Sequence, residues 1–198
     1  MITKLVSVPA REPVGFKEIH IHSRIDTYDD TEYIRGLIKA ARRVVEKRIN
    51  QKLITQTWDC WFNSWPHVDY IVLPFGNAQS ITYVTYTDSD GDVTTLTADS
   101  DYAADTDSEP ARVVLEYGES WPTATLHPKN PINIRFVTGY GDDRADVPGN
   151  IRHAIKILVA DMYEFRESVI AGTTVSRVES VIGALLADYV VPISQELS

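Results

Sequence analysis

Cysteine is nearly absent: Cys60 stands alone among 198 residues. No internal disulfide is possible and no thiolate metal cluster can form within one chain; Cys60 reads as a small strand residue. Long apolar runs are missing as well. None approaches the roughly 18 residues that a membrane-spanning helix needs, and the opening MITKLVSVPAREP lacks the continuous apolar stretch of a secretory signal. The protein is therefore expected in the cytoplasm of the cell that makes it, with no membrane partner. Positive charge is in deficit, with 19 Lys and Arg against 28 Asp and Glu and a formal net charge of −9. Phosphate neutralisation needs clustered Lys and Arg, so gripping nucleic acid is not the main work of this chain. Repeats with a period of about 20 to 50 residues, and low-complexity tracts, are absent too.

What is present is ordinary for a soluble globular protein: 43% hydrophobic and 24% charged residues, enough for a sizeable core in one domain. Two apolar-striped segments, 30–49 and 148–167, bracket about ninety residues of strand-like sequence. In the first, Ile34, Leu37, Ile38, Ala41, Val44, Val45 and Ile49 recur at three- and four-residue steps, which lines one helix face. The opposite face carries Arg35, Lys39, Arg42, Arg43, Glu46 and Lys47. Asp29 suits the N-cap, with Glu32 as the reciprocal member of a capping box, and the basic residues crowd toward the C-terminal end that the helix dipole favours. In the second segment Pro148 suits the first turn, and Ile151, Ile155, Leu158, Val159, Met162 and Phe165 form the stripe. After an interruption at Gly172, VSRVESVIGALLADYVVP offers a last helix with Val178, Val181, Ile182, Leu185 and Leu186 on one side, stopped by Pro192. Upstream, Phe16, Ile19 and His20 fit a short helix while Ile19 and Ile21 fit a strand; periodicity does not arbitrate, and we read a short helix.

Between the helices the pattern turns to alternation. LITQTWDCWF (53–62), VDYIVLP (68–74), ITYVTYT (81–87), VTTLT (93–97), ARVVLEY (111–117) and INIRFVTGYG (132–141) are rich in β-branched and aromatic residues and read as strands. Asp90-Gly91 suits a hairpin turn because Gly tolerates positive φ. The whole is an α+β protein: a helical bundle of N- and C-terminal helices (16–50 and 147–190) with a small antiparallel sheet inserted at 51–141.

Strings that imitate active sites fail physical tests. Asp88, Asp90 and Asp92 begin like a calcium loop, but the obligatory Gly falls at Val93 and the bidentate Glu at Asp99. Tyr140-Gly141-Asp142-Asp143 copies a polymerase metal-binding string, yet it follows one strand and enters a helix in a short chain. His20, His22, His67, His127 and His153 show no regular ligand spacing and are read as scattered surface residues. No G-x-S-x-G elbow, no G-x-x-x-x-G-K-[ST] phosphate loop and no G-x-G-x-x-G follows a strand. Trp65-Pro66 and Trp121-Pro122 sit at strand ends, where rings plug a sheet edge, so packing within or between subunits is favoured over ligand stacking. The residues read as a binding or assembly protein, with no enzyme activity, metal or cofactor expected.

The order of pieces IHIHSRID, DDTEYIRGLIKAARRVVEKRINQKLITQTWD, SWPHVDYIVLPFGNAQSITYVTYTDSDGD, WP, INIRFVTGYG and VPGNIRHAIKILVADMYEFRE resembles the head-tail connector (adaptor) proteins of tailed phages, from about Phe16 to Glu167. The resemblance implies a structural virion subunit that assembles as a cyclic homo-oligomer below the portal and offers a platform to tail-side connector or stopper proteins. DNA would pass through the ring without tight binding; an acidic wall repels phosphate. Arg35, Lys39, Arg42, Arg43, Lys47, Trp65 and Trp121 are the candidate interface residues. A tail-completion or stopper subunit of the same region is the second reading. The acidic loop from Asp99 to Glu109 and the last thirty residues depart from the pattern.

Overall fold

The computed structural model describes residues 1–25, 28–165 and 172–192, with 172–177 described by backbone alone. Asp26, Arg166 and Glu167, which close two of the matching segments, lie outside the described residues. The fold is α+β, with four helices and two antiparallel sheets among the described residues. It divides into two compact units.

The helical unit comprises Ala10–Ile54 and Gly141–Val190. Its first helix, α1 (Phe16–His22), settles the choice left open by periodicity: Ile19 is fully buried while Ile21 is 81% exposed, as helical spacing demands. Gly15 N–H donates to Glu18 Oε1 at 3.0 Å, satisfying one of the amides that the start of a helix leaves unpaired. The long helix α2 (Thr31–Ile49) is capped by Asp30, one residue later than expected, and without a side-chain cap bond. The Asp30 carboxylate instead accepts the Tyr163 hydroxyl at 2.7 Å. Asn50 ends α2 in the left-handed conformation at φ 54°, a geometry Asn tolerates better than most residues.

Helix α3 (Gly149–Glu164) has Pro148 as its N-cap and stops before Phe165, three residues short of the expected end. Along its stripe Ile151, Ile155, Leu158 and Val159 are buried, joined by Ala154, whereas Phe165 is 44% exposed. The stripe of α3 packs on α2, where Ile34, Ile38, Ala41, Val45 and Ile49 are buried and Leu37 is half-buried. Helix α4 (Gly172–Leu186) also lies on α3, with Ile182 and Leu186 buried. A 3-10 turn at Ala187–Tyr189 follows, and the Tyr189 carbonyl accepts Gln51 Nε2 at 2.7 Å.

The second unit is built from Met1–Pro9, Thr55–Tyr140 and, among the described residues beyond the helical unit, Val191 and Pro192. Strands β1 (Ile2–Ser7), β2 (Gln56–Phe62), β4 (Ala78–Thr87), β5 (Val93–Leu96) and β8 (Ile132–Thr138) form a five-stranded sheet in the order β1-β2-β8-β4-β5. Strands β3 (Tyr70–Val72), β6 (Tyr102–Asp105) and β7 (Arg112–Leu115) form a second sheet in the order β3-β7-β6. Two strands had no reading in the sequence: β1 lies before the expected helices, and β6 lies in the acidic loop. The single small sheet expected is in fact two.

Strand β8 shows why this unit holds. Ile132, Ile134, Phe136 and Thr138 are buried on one face, and Asn133, Arg135 and Val137 alternate on the other, the two-residue period of a strand with one face in the core. The register puts Trp58 and Ile81 on either side of Phe136, and Cys60 and Val84 on either side of Ile134. Phe75 packs against both Trp58 and Phe136, at 5.0 and 6.1 Å between ring centroids. On the other face Arg135 makes a two-pronged pair with Asp59, its cross-strand neighbour, at 2.7 and 2.9 Å and lies over the Tyr83 ring.

Candidate assembly surfaces

On α2 the sequence placed six charged residues on one exposed face, and the structure divides them. Arg35, Lys39, Arg43 and Lys47 are exposed, spaced four apart along one ridge of the helix. Arg35 donates to Glu32 at 2.7 Å within the same helix. Lys39, Arg43 and Lys47 make no ion pair with any described residue.

Arg42 and Glu46 are buried, at 7% and 5% exposure, which corrects the expectation that both lie on the solvent face. Arg42 Nε donates to Glu12 at 2.7 Å and its Nη1 to Glu46 at 3.0 Å, while the other Glu46 oxygen accepts the Leu53 amide at 3.2 Å. Burial pushes the Arg42 guanidinium down, but the Glu46 and Glu12 carboxylates outweigh it and hold Arg42 above its ordinary value. The physical reason is that Arg42 and Val44 lie on opposite flanks of the central stripe. The helix turns its Arg42 flank inward, where Glu12 waits, and leaves Val44 46% exposed. Burial also pushes the neighbouring Lys52 ammonium down, with Glu46 opposing and Arg42 reinforcing the shift. The signal for this network was the i, i+4 spacing of Arg42 and Glu46; nothing local marked Glu12.

In the sheet unit Trp65 and Trp121 are half-buried and stack on one another, ring centroids 4.8 Å apart and planes within 6°. Tyr86 meets Trp65 edge-on at 6.0 Å, and Trp121 Nε1 donates to the Val68 carbonyl at 2.8 Å. Both indoles pack against the core cluster of this unit. The pair ties the segment after β2 to the segment after β7, which is a packing role of the kind the Trp-Pro positions suggested.

The imitation motifs resolve into structure. Asp88 Oδ1 accepts the amides of Asp90 and Asp92 at 3.0 and 2.9 Å, and Gly91 adopts φ 91°, so the acidic run closes the β4–β5 hairpin. Gly141 abuts Asp146, whose carboxylate accepts the Asp143 amide at 2.9 Å, and Asp143 pairs with Arg11. His20 stacks on Tyr28, His22 meets His153 edge-on at 5.7 Å, and His127 Nδ1 accepts the Lys129 amide. Burial, with His153 and Lys156 nearby, holds the His22 imidazole below its ordinary value. Among the described residues no group of three or more His, Cys, Asp or Glu is placed to hold a metal ion, and no helix is long and apolar enough to cross a membrane. An open cleft in the helical unit is lined by His22, Ser23, Ile25, Ile157, Tyr163 and Val178 among others.

One electrostatic feature escaped the sequence reading. Ten of the 28 acidic residues fall in 88–119 against one of the 19 basic ones, Arg112, so this stretch alone carries a net −9 and the rest of the chain is balanced. It comprises the β4–β5 hairpin turn, β5, β6, β7, the turns between them and the segment that follows β7. Asp90, Asp92, Asp99, Asp107, Glu109 and Glu119 are exposed there.

No protein-family model and no curated protein matches the chain. Among solved structures, the chain is similar to one in "Neck of empty GTA particle computed with C6 symmetry", with TM-score 0.82, 20% identity, and coverage of 99% of this chain and 98% of that one. A chain in "Virion of native gene transfer agent (GTA) particle" matches with TM-score 0.78 at 19% identity over 99% of this chain and 98% of that one. A third, in "Neck of native GTA particle computed with C12 symmetry", matches with TM-score 0.71 at 20% identity over 98% of both chains. At this identity the likeness establishes a shared fold over nearly the whole of each chain.

Proposed function

We propose that this chain is a structural, non-enzymatic subunit of the neck of a tailed phage or phage-like particle. In this reading it forms a ring at the head-tail interface below the portal and joins the DNA-filled head to tail-side proteins. The observation that carries the reading is the whole-chain likeness, in both directions, to chains from particle necks and a particle virion. The ordered sequence resemblance to head-tail connectors, argued from different data, supports the same reading.

Contacts with the portal and with neighbouring subunits are assigned to the exposed α2 residues Arg35, Lys39, Arg43 and Lys47 and to the sheet unit around Trp65 and Trp121. Arg42 leaves this set, because its guanidinium is already engaged by Glu12 and Glu46. Duplex DNA passes through the ring without tight binding, because an acidic subunit supplies little phosphate neutralisation; affinity for duplex stays near the about 10⁻⁴ to 10⁻⁶ M of non-specific binding at physiological salt. Particles made without the protein test this function. Packaged heads should accumulate that lose DNA or fail to join tails, and tailed, infectious particles made without it would overturn the reading.

A further inference from the structure

The subunit carries two exposed surfaces of opposite sign on different units. One is the α2 ridge of Arg35, Lys39, Arg43 and Lys47, about 18 Å long at the 1.5 Å rise of a helix. The other is the 88–119 stretch, which holds the whole net charge of the chain. Neither is neutralised locally. Of the four ridge cations only Arg35 has an ion pair among the described residues, and Asp90, Asp92, Asp99, Asp107, Glu109 and Glu119 have none there either.

We propose that the cationic ridge of α2 docks on the acidic β5–β7 stretch of a second copy of this chain, so that successive subunits meet head to tail. The inference rests on the ring reading given above and supplies its subunit contact. Three arguments select a second copy as the occupant. A two-fold pairing of either surface with itself would set like charges face to face, whereas a heterologous contact sets opposite charges together and is the type that closes rings. The excess of acid in 88–119 exceeds the four cations of the ridge, so the chain holds enough counter-charge for its own ridge. Duplex DNA is the competing occupant, but four cations, one of them already paired with Glu32, neutralise few phosphates, and a duplex gives the acidic stretch nothing to engage.

Exposed pairs of this kind set register and orientation and add modest affinity, and they weaken as salt shortens the Debye length to about 8 Å at 0.15 M. The contact should therefore be strongest at low ionic strength.

Sedimentation velocity on the full-length chain tests the proposal with two variants. One carries Lys39→Glu, Arg43→Glu and Lys47→Glu; the other carries Asp107→Lys, Glu109→Lys and Glu119→Lys. Circular dichroism first establishes that both fold. The wild-type chain should self-associate at low salt, and each variant alone should associate about tenfold more weakly, the product of three few-fold pair effects. An equimolar mixture of the two variants should recover part of the lost association, because the intact ridge of the second docks on the intact acidic stretch of the first.

The proposal is overturned if association survives either reversal, if the mixture recovers nothing, or if the wild-type chain stays monomeric at low salt. Duplex retention by the wild type that the α2 reversal abolishes would assign the ridge to phosphate and overturn it as well. Rings that form on the portal equally well from wild type and both variants sink this contact and leave the neck reading standing. A wild-type chain that forms no ring even on the portal removes the neck reading itself.

Discussion

Replacing Arg42 by Ala should destabilise the helical unit severely, although a helical wheel places Arg42 among solvent-facing charges. The Arg42 side chain is 9% exposed and its guanidinium bridges Glu12 and Glu46, and the Glu46 side chain is 6% exposed. Removing the cation breaks a buried pair and leaves Glu46 with only the neighbouring Lys52 ammonium and the Leu53 amide described around it, a perturbation whose cost approaches the about 3 to 5 kcal/mol of a broken buried ion pair. Against a typical domain stability of about 5 to 15 kcal/mol, that is a large fraction of the total. Glu12 contributes less to the cost, because its side chain is 21% exposed and can turn to water.

The assay is urea unfolding followed by two probes. Ellipticity at helix wavelengths reports chiefly the helical unit, whereas Trp58, Trp61, Trp65 and Trp121 all lie in the sheet unit, so indole fluorescence reports that one. The Arg42→Ala midpoint should fall in the helix signal. The combination of Arg42→Met with Glu46→Gln should recover most of the loss, since both charges leave together and the Gln carbonyl still accepts the Leu53 amide. An Arg42→Ala midpoint within error of wild type, or a double variant as weak as the single one, would refute the reasoning.

Three further outcomes are expected. Burial pushes the Glu18 carboxyl up, but the Gly15 amide, Arg152 and Lys156 outweigh it and hold Glu18 below its ordinary 4.5. That stability is present above the unfolded value and lost as pH falls through the folded one, so Glu18→Gln should lower stability at neutral pH and flatten its decline below about pH 4.5. Phe136→Ala, which empties a fully buried site at the centre of β8, should cost about 3 to 5 kcal/mol in the fluorescence-detected transition; a loss under about 1 kcal/mol would contradict the packing described. Burial, reinforced by the charge of Asp59, pushes the Cys60 thiol far above its ordinary value, so a thiol reagent should label it only in denaturant, and prompt labelling of the native chain would contradict its burial.

Long periodic elements were legible in the sequence because their patterning and their burial have the same cause. The stripes of α2 and α3 and the alternation of β2, β4 and β8 are written in residues that must leave water. What escaped depended on partners distant in the chain. Residues 2–7 read as a featureless opening because β1 is an edge strand with mostly exposed side chains, and it exists through its pairing with β2. Strand β6 hid among Asp and Ala for the same reason, held by β7. On α2 the wheel could not decide between Arg42 and Val44, two positions on opposite flanks, because the deciding residue is Glu12, thirty positions away. The aromatic pair Trp65 and Trp121 was legible as packing from its Trp-Pro setting, but the stack itself needed the fold.

The central claim is that this chain is a ring subunit of a particle neck, and imaging of purified particles tests it most directly. Cryo-electron microscopy of particles carrying a labelled copy of the chain should locate the label at the neck, in a closed ring between the portal and the first tail-side protein. Label dispersed over the capsid or the tail shaft, or particles that contain none of the protein, would contradict the account.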